Sequence, residues 1–223
     1  MDKRDIHISK SLSYLLRHGA VKENLSIDSN GYIPLQQLLA HNRLKTHKCT
    51  HEDIMKIVQN NDKKRFNIKL IDGVECIAAT QGHSIKNVHP DEKVLSLISK
   101  DTVLPHPLIH GTNMKGLEMI LKTGFISKMQ RNHIHLSPGV VGEDINVISG
   151  MRKNSPVLIY LNSSKLVERG TLSKSLNEVF LTPDNIPLSL FDHIVIRGKE
   201  DSLNEDIKTE LQNNKIEYQF KNI

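Results

Sequence analysis

Part-way along this chain the spacing of apolar residues changes from helical to strand-like, and that switch limits the folds open to it. Near the start, Ile8, Leu12, Leu15 and Leu16 share one helical face, and Gly19 stands where a left-handed residue would end the helix. Pro34 holds a first-turn position ahead of Leu35, Leu38 and Leu39. Thr50 and Asp53 have capping-box spacing, with Asp in place of Glu or Gln, before an apolar face of Ile54, Ile57 and Val58. "RFNIKLIDGVECIAA" then alternates through Phe66, Ile68 and Leu70 to an Asp72-Gly73 turn, the signature of a hairpin. Three short helices and a hairpin predict a winged-helix-like first lobe.

The remainder reads differently. After a connection from "QGHS" to "LPHP", short strand-like runs follow: "PLIHGT", "HIHLS", "PVLIYL", "EVFLT", "HIVIRG" and "IEYQF". Helical stretches are fewer, at 113–123, near 164–169 and near 202–213. Strands that neighbour one another in sequence favour antiparallel pairing over a doubly wound sheet. The fold class is therefore α+β, with a lobe over 1–92 and a second, antiparallel β-rich lobe over 93–223. A chain of 223 residues is long enough to bury both cores.

Charge divides the same way. Of 30 Lys+Arg and 25 Asp+Glu, residues 1–100 hold 16 and 11, whereas residues 101–223 hold 14 and 14. All the net charge of +5 lies in the first part, as expected if that lobe meets a polyanion. No window approaches the roughly 20 apolar residues of a membrane span. The charged start "MDKRDIHISK" does not read as a secretory signal, and a cytoplasmic protein is expected. Cys49 and Cys76 are too few for a disulfide framework. His47, Cys49 and His51 alternate, but no second cluster completes a zinc set, so no metal is expected. Neither GxGxxG nor a Walker A sequence is present.

Several residues invite chemistry, each with an ordinary explanation beside it. Arg17 and His18 close the first helix, where cations suit the dipole. Arg65 starts a hairpin strand and Arg131 precedes "HIHLS", both unremarkable places for a basic side chain. His110 and His135 lie inside predicted strands, followed by Gly-Thr and by Leu-Ser respectively. A lone strand histidine is usually a satisfied core residue; a matched pair weakens that explanation.

Taken in order, "LSYLLRHGA", "KKRFNI", "TQGHS", "HGT", "RNHIHLS" and "VFLT" strongly resemble the NAD-dependent RNA (tRNA) 2′-phosphotransferase family, from about residue 8 to residue 198. The resemblance implies an RNA-facing winged-helix lobe and an ADP-ribosyltransferase-like lobe that holds NAD. It implies a catalytic set at Arg17, His18, Arg65 and Arg131, drawn from both lobes. It implies NAD-binding positions at His110, Gly111 and Thr112 on one strand, and His135 and Ser137 on the facing one.

The implied reaction transfers an internal RNA 2′-phosphate to NAD through a 2′-phospho-ADP-ribosylated RNA. It releases nicotinamide and ADP-ribose 1″,2″-cyclic phosphate. The expected partners are RNA bearing that phosphate and NAD, consumed as co-substrate; the protein is expected to act as a monomer, without metal or membrane. The family is associated with tRNA splicing. Glu178, in the strand-like run of "SLNEVFLT", sits where ADP-ribosyltransferases acting on hydroxyls or carboxylates carry a glutamate; it is read first as an exposed strand or turn residue, with residual ADP-ribosyl transfer to other acceptors as the functional alternative. Two alternatives stay open at this point: an ADP-ribosyltransferase capping terminal phosphates of RNA or DNA, and a non-catalytic winged-helix binder.

Overall fold

The computed structural model describes residues 2–104 and 106–222; Pro105 of the expected connection lies outside them. The chain is mixed α/β with mostly antiparallel sheets, and it forms two compact units. The first contains the residues up to Leu95 together with Gln130–Asn132; the second contains Ser96–Met129 and the chain from His133 on.

In the first unit, α1 (Lys3–Tyr14) is capped by Asp2, whose carboxylate accepts from Asp5 N–H. Ile8, Leu12, Leu15 and Leu16 are fully buried, so the predicted helical face is the core face. The helix then widens into a π turn over Leu15–Gly19. Gly19 does not end it in the left-handed conformation expected of it, and the next residue, Ala20, is still right-handed. The glycine is needed for space. A Cβ there would stand 2.6 Å from Cε1 of Tyr14, five residues back, which is the π-helical repeat.

Next come β1 (Tyr32–Pro34), α2 (Leu35–Ala40), α3 (Asn42–Lys45) and α4 (His51–Gln59). Pro34 is thus the last residue of a short strand and caps the following helix. The Thr50–Asp53 capping box forms in both directions. β2 (Phe66–Ile71) and β3 (Val74–Ala79) make the predicted hairpin, with Asp72 and Gly73 both at positive φ as its tight turn demands. β1 adds to it, giving the sheet order β1-β3-β2.

β4 (Leu95–Leu97) starts at the last residue of the first unit, and the second unit goes on with β5 (Leu108–Thr112), α5 (Met114–Thr123), β6 (Phe125–Ile126), β7 (Ile134–Leu136) and β8 (Val157–Leu161). It continues with α6 (Ser163–Glu168), β9 (Ser173–Ser175), β10 (Phe180–Thr182), β11 (Ile186–Pro187), β12 (Phe191–Arg197), α7 (Glu205–Asn213) and β13 (Glu217–Lys221). One sheet runs β13-β12-β8-β5 and another β4-β9-β10-β7. The antiparallel expectation holds except at β12 and β13, which are parallel because α7 carries the chain back between them. A core of Leu, Ile and Val including Leu117, Leu136, Ile159 and Ile194 packs on one face of the β13-β12-β8-β5 sheet. Ile109, Val140, Leu158 and Val195 pack on the other. At one edge, Ile109 and Ser137 exchange both backbone hydrogen bonds, which joins β5 to β7.

Candidate functional site

Within the first unit, the loop 80–84, "TQGHS", gathers four of the predicted positions. Ser84 N–H donates to the Arg17 carbonyl at 2.9 Å, and Ser84 Oγ lies 2.9 Å from Nδ1 of His18. Thr80 N–H donates to the Arg65 carbonyl at 2.9 Å, and its hydroxyl donates to the Lys64 carbonyl. The His83 carbonyl accepts from Asn132 N–H, while the Asn132 amide donates to the carbonyls of Ile85 and Val88. These three bonds fasten Arg131 to the first unit, although the sequence placed it in the second lobe. At the loop's centre Gly82 has φ +93°, and a Cβ there would stand 3.4 Å from both Arg17 Nε and Arg131 Nη1. The two guanidinium groups flank one glycine.

The electrostatics of this cluster are repulsive. Burial first, then Arg131 and Arg65, pull the Arg17 guanidinium down from the ordinary arginine range to about 10. His18 is lowered by burial, then by Arg131 and Arg17, so its imidazole favours the neutral form. Arg65 is lowered by burial, with Asp62 acting the other way. Arg17 Nε is buried and, among the described residues, has no hydrogen-bond partner. A stranded donor costs about 1–3 kcal/mol.

Asn61, which carried no signal in the sequence, orients Arg65. Its Oδ1 accepts from the backbone N–H of Lys63 and Arg65 and from Arg65 Nη1, at 3.2–3.4 Å. Asn61 is only 4 % exposed, so water does not compete for those bonds. Ser84, Asn132 and Gly82 were likewise not singled out. "TQGHS" was the available signal, since a Gly between polar residues after a strand marks a loop built for close approach.

The second unit holds the other predicted residues. His110 Nδ1 lies 3.2 Å from the His135 carbonyl, which can only accept, so Nδ1 carries the proton and Nε2 the lone pair. Burial holds this histidine below its ordinary value, in the neutral form. Thr112, at the end of β5, is half-buried.

Gly111 and Ser137 both touch a neighbouring loop. A Cβ at Gly111 would stand 2.8 Å from Met151 Cβ and 2.9 Å from Ser155 Oγ. Ser137 is fully buried and its hydroxyl donates to the Ser149 carbonyl at 3.1 Å. Arg197 Nη1 also donates to the carbonyls of Lys153 and Ser155, so the 149–155 loop is pinned on both sides.

Glu178 is not a strand residue. It lies in the turn between β9 and β10 at φ 62°, exposed and paired with Lys174 at 2.9 Å. Ser175 makes the turn: its hydroxyl accepts from Val179 N–H, and its carbonyl accepts from Glu178 N–H. His47, Cys49 and His51 go separate ways. His47 stacks on His7, His51 pairs with Glu75, and burial pushes the Cys49 thiol up to about 11. Among the described residues, no group of three or more His, Cys, Asp and Glu is placed to hold a metal. No helix there is long and apolar enough to cross a membrane.

Comparison with known proteins adds a family. The model of the RNA 2′-phosphotransferase, Tpt1/KptA family matches residues 3–184. A tRNA 2′-phosphotransferase of Saccharomyces cerevisiae is 52% identical over 200 residues, covering 88% of this chain and 86% of that protein. Human tRNA 2′-phosphotransferase 1 is 37% identical over 185 residues, covering 82% of this chain and 70% of its own. A probable RNA 2′-phosphotransferase of Acaryochloris marina is 33% identical over 192 residues, covering 86% and 98%.

Proposed function

The chain belongs to the RNA 2′-phosphotransferase, Tpt1/KptA family, and on that footing we propose that it removes an internal 2′-phosphate from RNA at the expense of NAD. The RNA would be a tRNA, as the names of its relatives indicate, and the protein a cytoplasmic monomer. In this reading the first unit is a winged-helix-like RNA lobe and the second an ADP-ribosyltransferase-like NAD lobe. The observation that carries it is the buried, unpartnered Nε of Arg17 in a cluster with Arg65 and Arg131.

A phosphate supplies what that cluster lacks. It is already an anion near neutral pH, so as a nucleophile it needs no general base. It needs desolvation, aim and charge balance. Planar guanidinium forks grip phosphate oxygens two at a time, which a lysine ammonium cannot do. Arg17, Arg65 and Arg131 take this role, and fixing the phosphate in line with its target removes much of the entropic barrier. Their charge then stabilises the phosphorus as the ester bond to RNA exchanges.

NAD, consumed here as co-substrate, supplies an electrophilic ribose carbon and a nicotinamide leaving group. The residues present fit it in part. His110 offers a neutral Nε2 acceptor suited to a ribose hydroxyl, its tautomer set by the His135 carbonyl. Thr112, two residues further along β5, offers a hydroxyl. Gly111, His135 and Ser137 contribute at one remove, by holding β5, β7 and the 149–155 loop. His18 handles protons in the second step, when a ribose hydroxyl must lose one and the departing RNA 2′ oxygen must gain one.

The test is incubation of the protein with NAD and an RNA bearing one internal 2′-phosphate. Release of nicotinamide together with RNA carrying a free 2′-hydroxyl is expected. If an ADP-ribosyl group instead stays on the RNA, or is added only to terminal phosphates, the reading fails and a capping ADP-ribosyltransferase takes its place.

A further inference from the structure

His18 has a side-chain hydrogen-bond neighbour, Ser84, that bears on how it can move a proton. Ser84 Oγ lies 2.9 Å from His18 Nδ1, and Ser84 N–H donates at 2.9 Å to the carbonyl of Arg17. A single residue therefore holds the backbone of the π turn and the imidazole that follows it. The loop is held in turn, because His83 accepts from Asn132 N–H and Thr80 is bonded to Lys64 and Arg65. One hydrogen bond with Ser84 ties the exposed His18 ring to this frame.

We infer that Ser84 is the positioning residue for His18: its hydroxyl, able to donate or accept, takes the acceptor role toward Nδ1–H and so leaves the lone pair on Nε2 in the resting enzyme. The inference rests on the proton-handling role given to His18 above. In the second step, the ribose 2″ oxygen forms a bond to phosphorus and the bond from phosphorus to the RNA 2′ oxygen breaks. Nε2 takes the proton from the attacking hydroxyl and returns one to the departing oxygen, so the histidine ends as it began. Only the Nδ1–H tautomer can begin this exchange.

Charge explains why a hydroxyl stands here and not a carboxylate, the usual partner of a catalytic histidine. The groups acting on His18 are Arg131, from the segment 130–132, and Arg17, from its own turn. A carboxylate at position 84 would fix the tautomer more firmly. It would also pair with those arginines, so the phosphate would have to displace it. Serine orients the ring and leaves the cations for the substrate. Burial first, and then the same neighbours, favour the neutral imidazole that a base needs at rest.

The experiment combines nitrogen NMR of the His18 ring with single-turnover kinetics that follow nicotinamide release and RNA dephosphorylation separately. Wild type should show the proton on Nδ1. In Ser84→Ala that preference should be lost, nicotinamide release should stay within about twofold, and dephosphorylation should slow about tenfold, the worth of one hydrogen bond to a transiently charged group. The phospho-ADP-ribosylated RNA should then accumulate, and Ser84→Thr should restore the second step. Ser84→Asp should keep the tautomer, raise the pH at which His18 protonates, and weaken binding of 2′-phosphorylated RNA.

If wild-type His18 carries its proton on Nε2, or if Ser84→Ala slows both steps equally with a lowered melting temperature, the inference is overturned. His18→Ala separates the two levels of the argument. Accumulation in His18→Ala but not in Ser84→Ala leaves the role of His18 standing and removes that of Ser84. No accumulation in either removes both.

Discussion

Replacing Arg17 with Met should stabilise the RNA-free protein while abolishing turnover. Burial and two neighbouring guanidinium groups hold Arg17 at about 10. A cation whose folded value lies below its unfolded one is opposed by the fold at every pH beneath the folded value. The penalty fades only as pH rises from there toward the ordinary arginine range. At about 1.4 kcal/mol for each pH unit between the two values, the cost near neutrality is roughly 3 kcal/mol. Met keeps an unbranched apolar stem and removes both the charge and the stranded Nε donor. Lost packing of the guanidinium reduces the gain to about 1–3 kcal/mol, which for a chain of this length raises the melting temperature by roughly 2–6 °C. Scanning calorimetry at neutral pH and low salt reads this directly. Activity should fall by about a thousandfold, in line with loss of a preorganised charge at a reacting phosphorus. Arg17→Lys keeps the charge and should not stabilise. If Arg17→Met lowers the melting temperature, the cluster is satisfied without ligand, and the reasoning from repulsion is refuted.

Three further outcomes follow from single contacts. Asn61→Ala removes the acceptor that orients Arg65 and should raise KM for 2′-phosphorylated RNA about three- to tenfold, with about 1–2 kcal/mol of stability lost, measured by steady-state kinetics and urea unfolding. Gly150 has φ +111°, and a Cβ there would stand 2.8 Å from Ser137 Cα, so Gly150→Ala should displace the 149–155 loop. Calorimetric titration should then show weaker NAD binding with RNA affinity unchanged. Glu178→Ala should change neither acceptor choice nor stability by more than about 0.5 kcal/mol, because its ion pair with Lys174 lies in an exposed turn; altered acceptor choice in the variant would contradict this placement.

Local features were readable from the sequence where one short-range interaction decides the geometry. The Thr50–Asp53 capping box and the Asp72-Gly73 turn are of this kind, as are the buried faces of α1 and α4. Where two local signals competed, the reading went astray. Pro34 suits a helix start, yet its residue closes β1, because Tyr32 to Pro34 pair with Cys76 to Ala78. "EVFLT" alternates like a strand, but Ser175 bonds across to Val179 and turns the chain before Phe180. The π turn was hidden because it depends on the ring of Tyr14 lying over Gly19, a packing fact.

The candidate site shows the same division. The types and positions of Arg17, His18, Arg65 and Arg131 were visible through the resemblance. The loop that gathers them was not, because Ser84, Gly82 and Asn132 act through long-range backbone contacts that leave no period in the sequence. His110 and His135 were read as two facing residues. Their link turns out to be a side chain on a backbone carbonyl, which fixes the tautomer of one by the strand position of the other.

The central claim is that three arginines fixed by one loop hold a single RNA 2′-phosphate. Binding of two RNAs identical except for one internal 2′-phosphate, measured without NAD on wild type and on Arg17→Gln, Arg65→Gln and Arg131→Gln, tests it most directly. Wild type should prefer the phosphorylated RNA by at least about tenfold. Each single variant should lose most of that preference, and combining two should cost little more, because the groups act as a unit. A preference that survives in the single variants, or losses that simply add, would place the phosphate elsewhere.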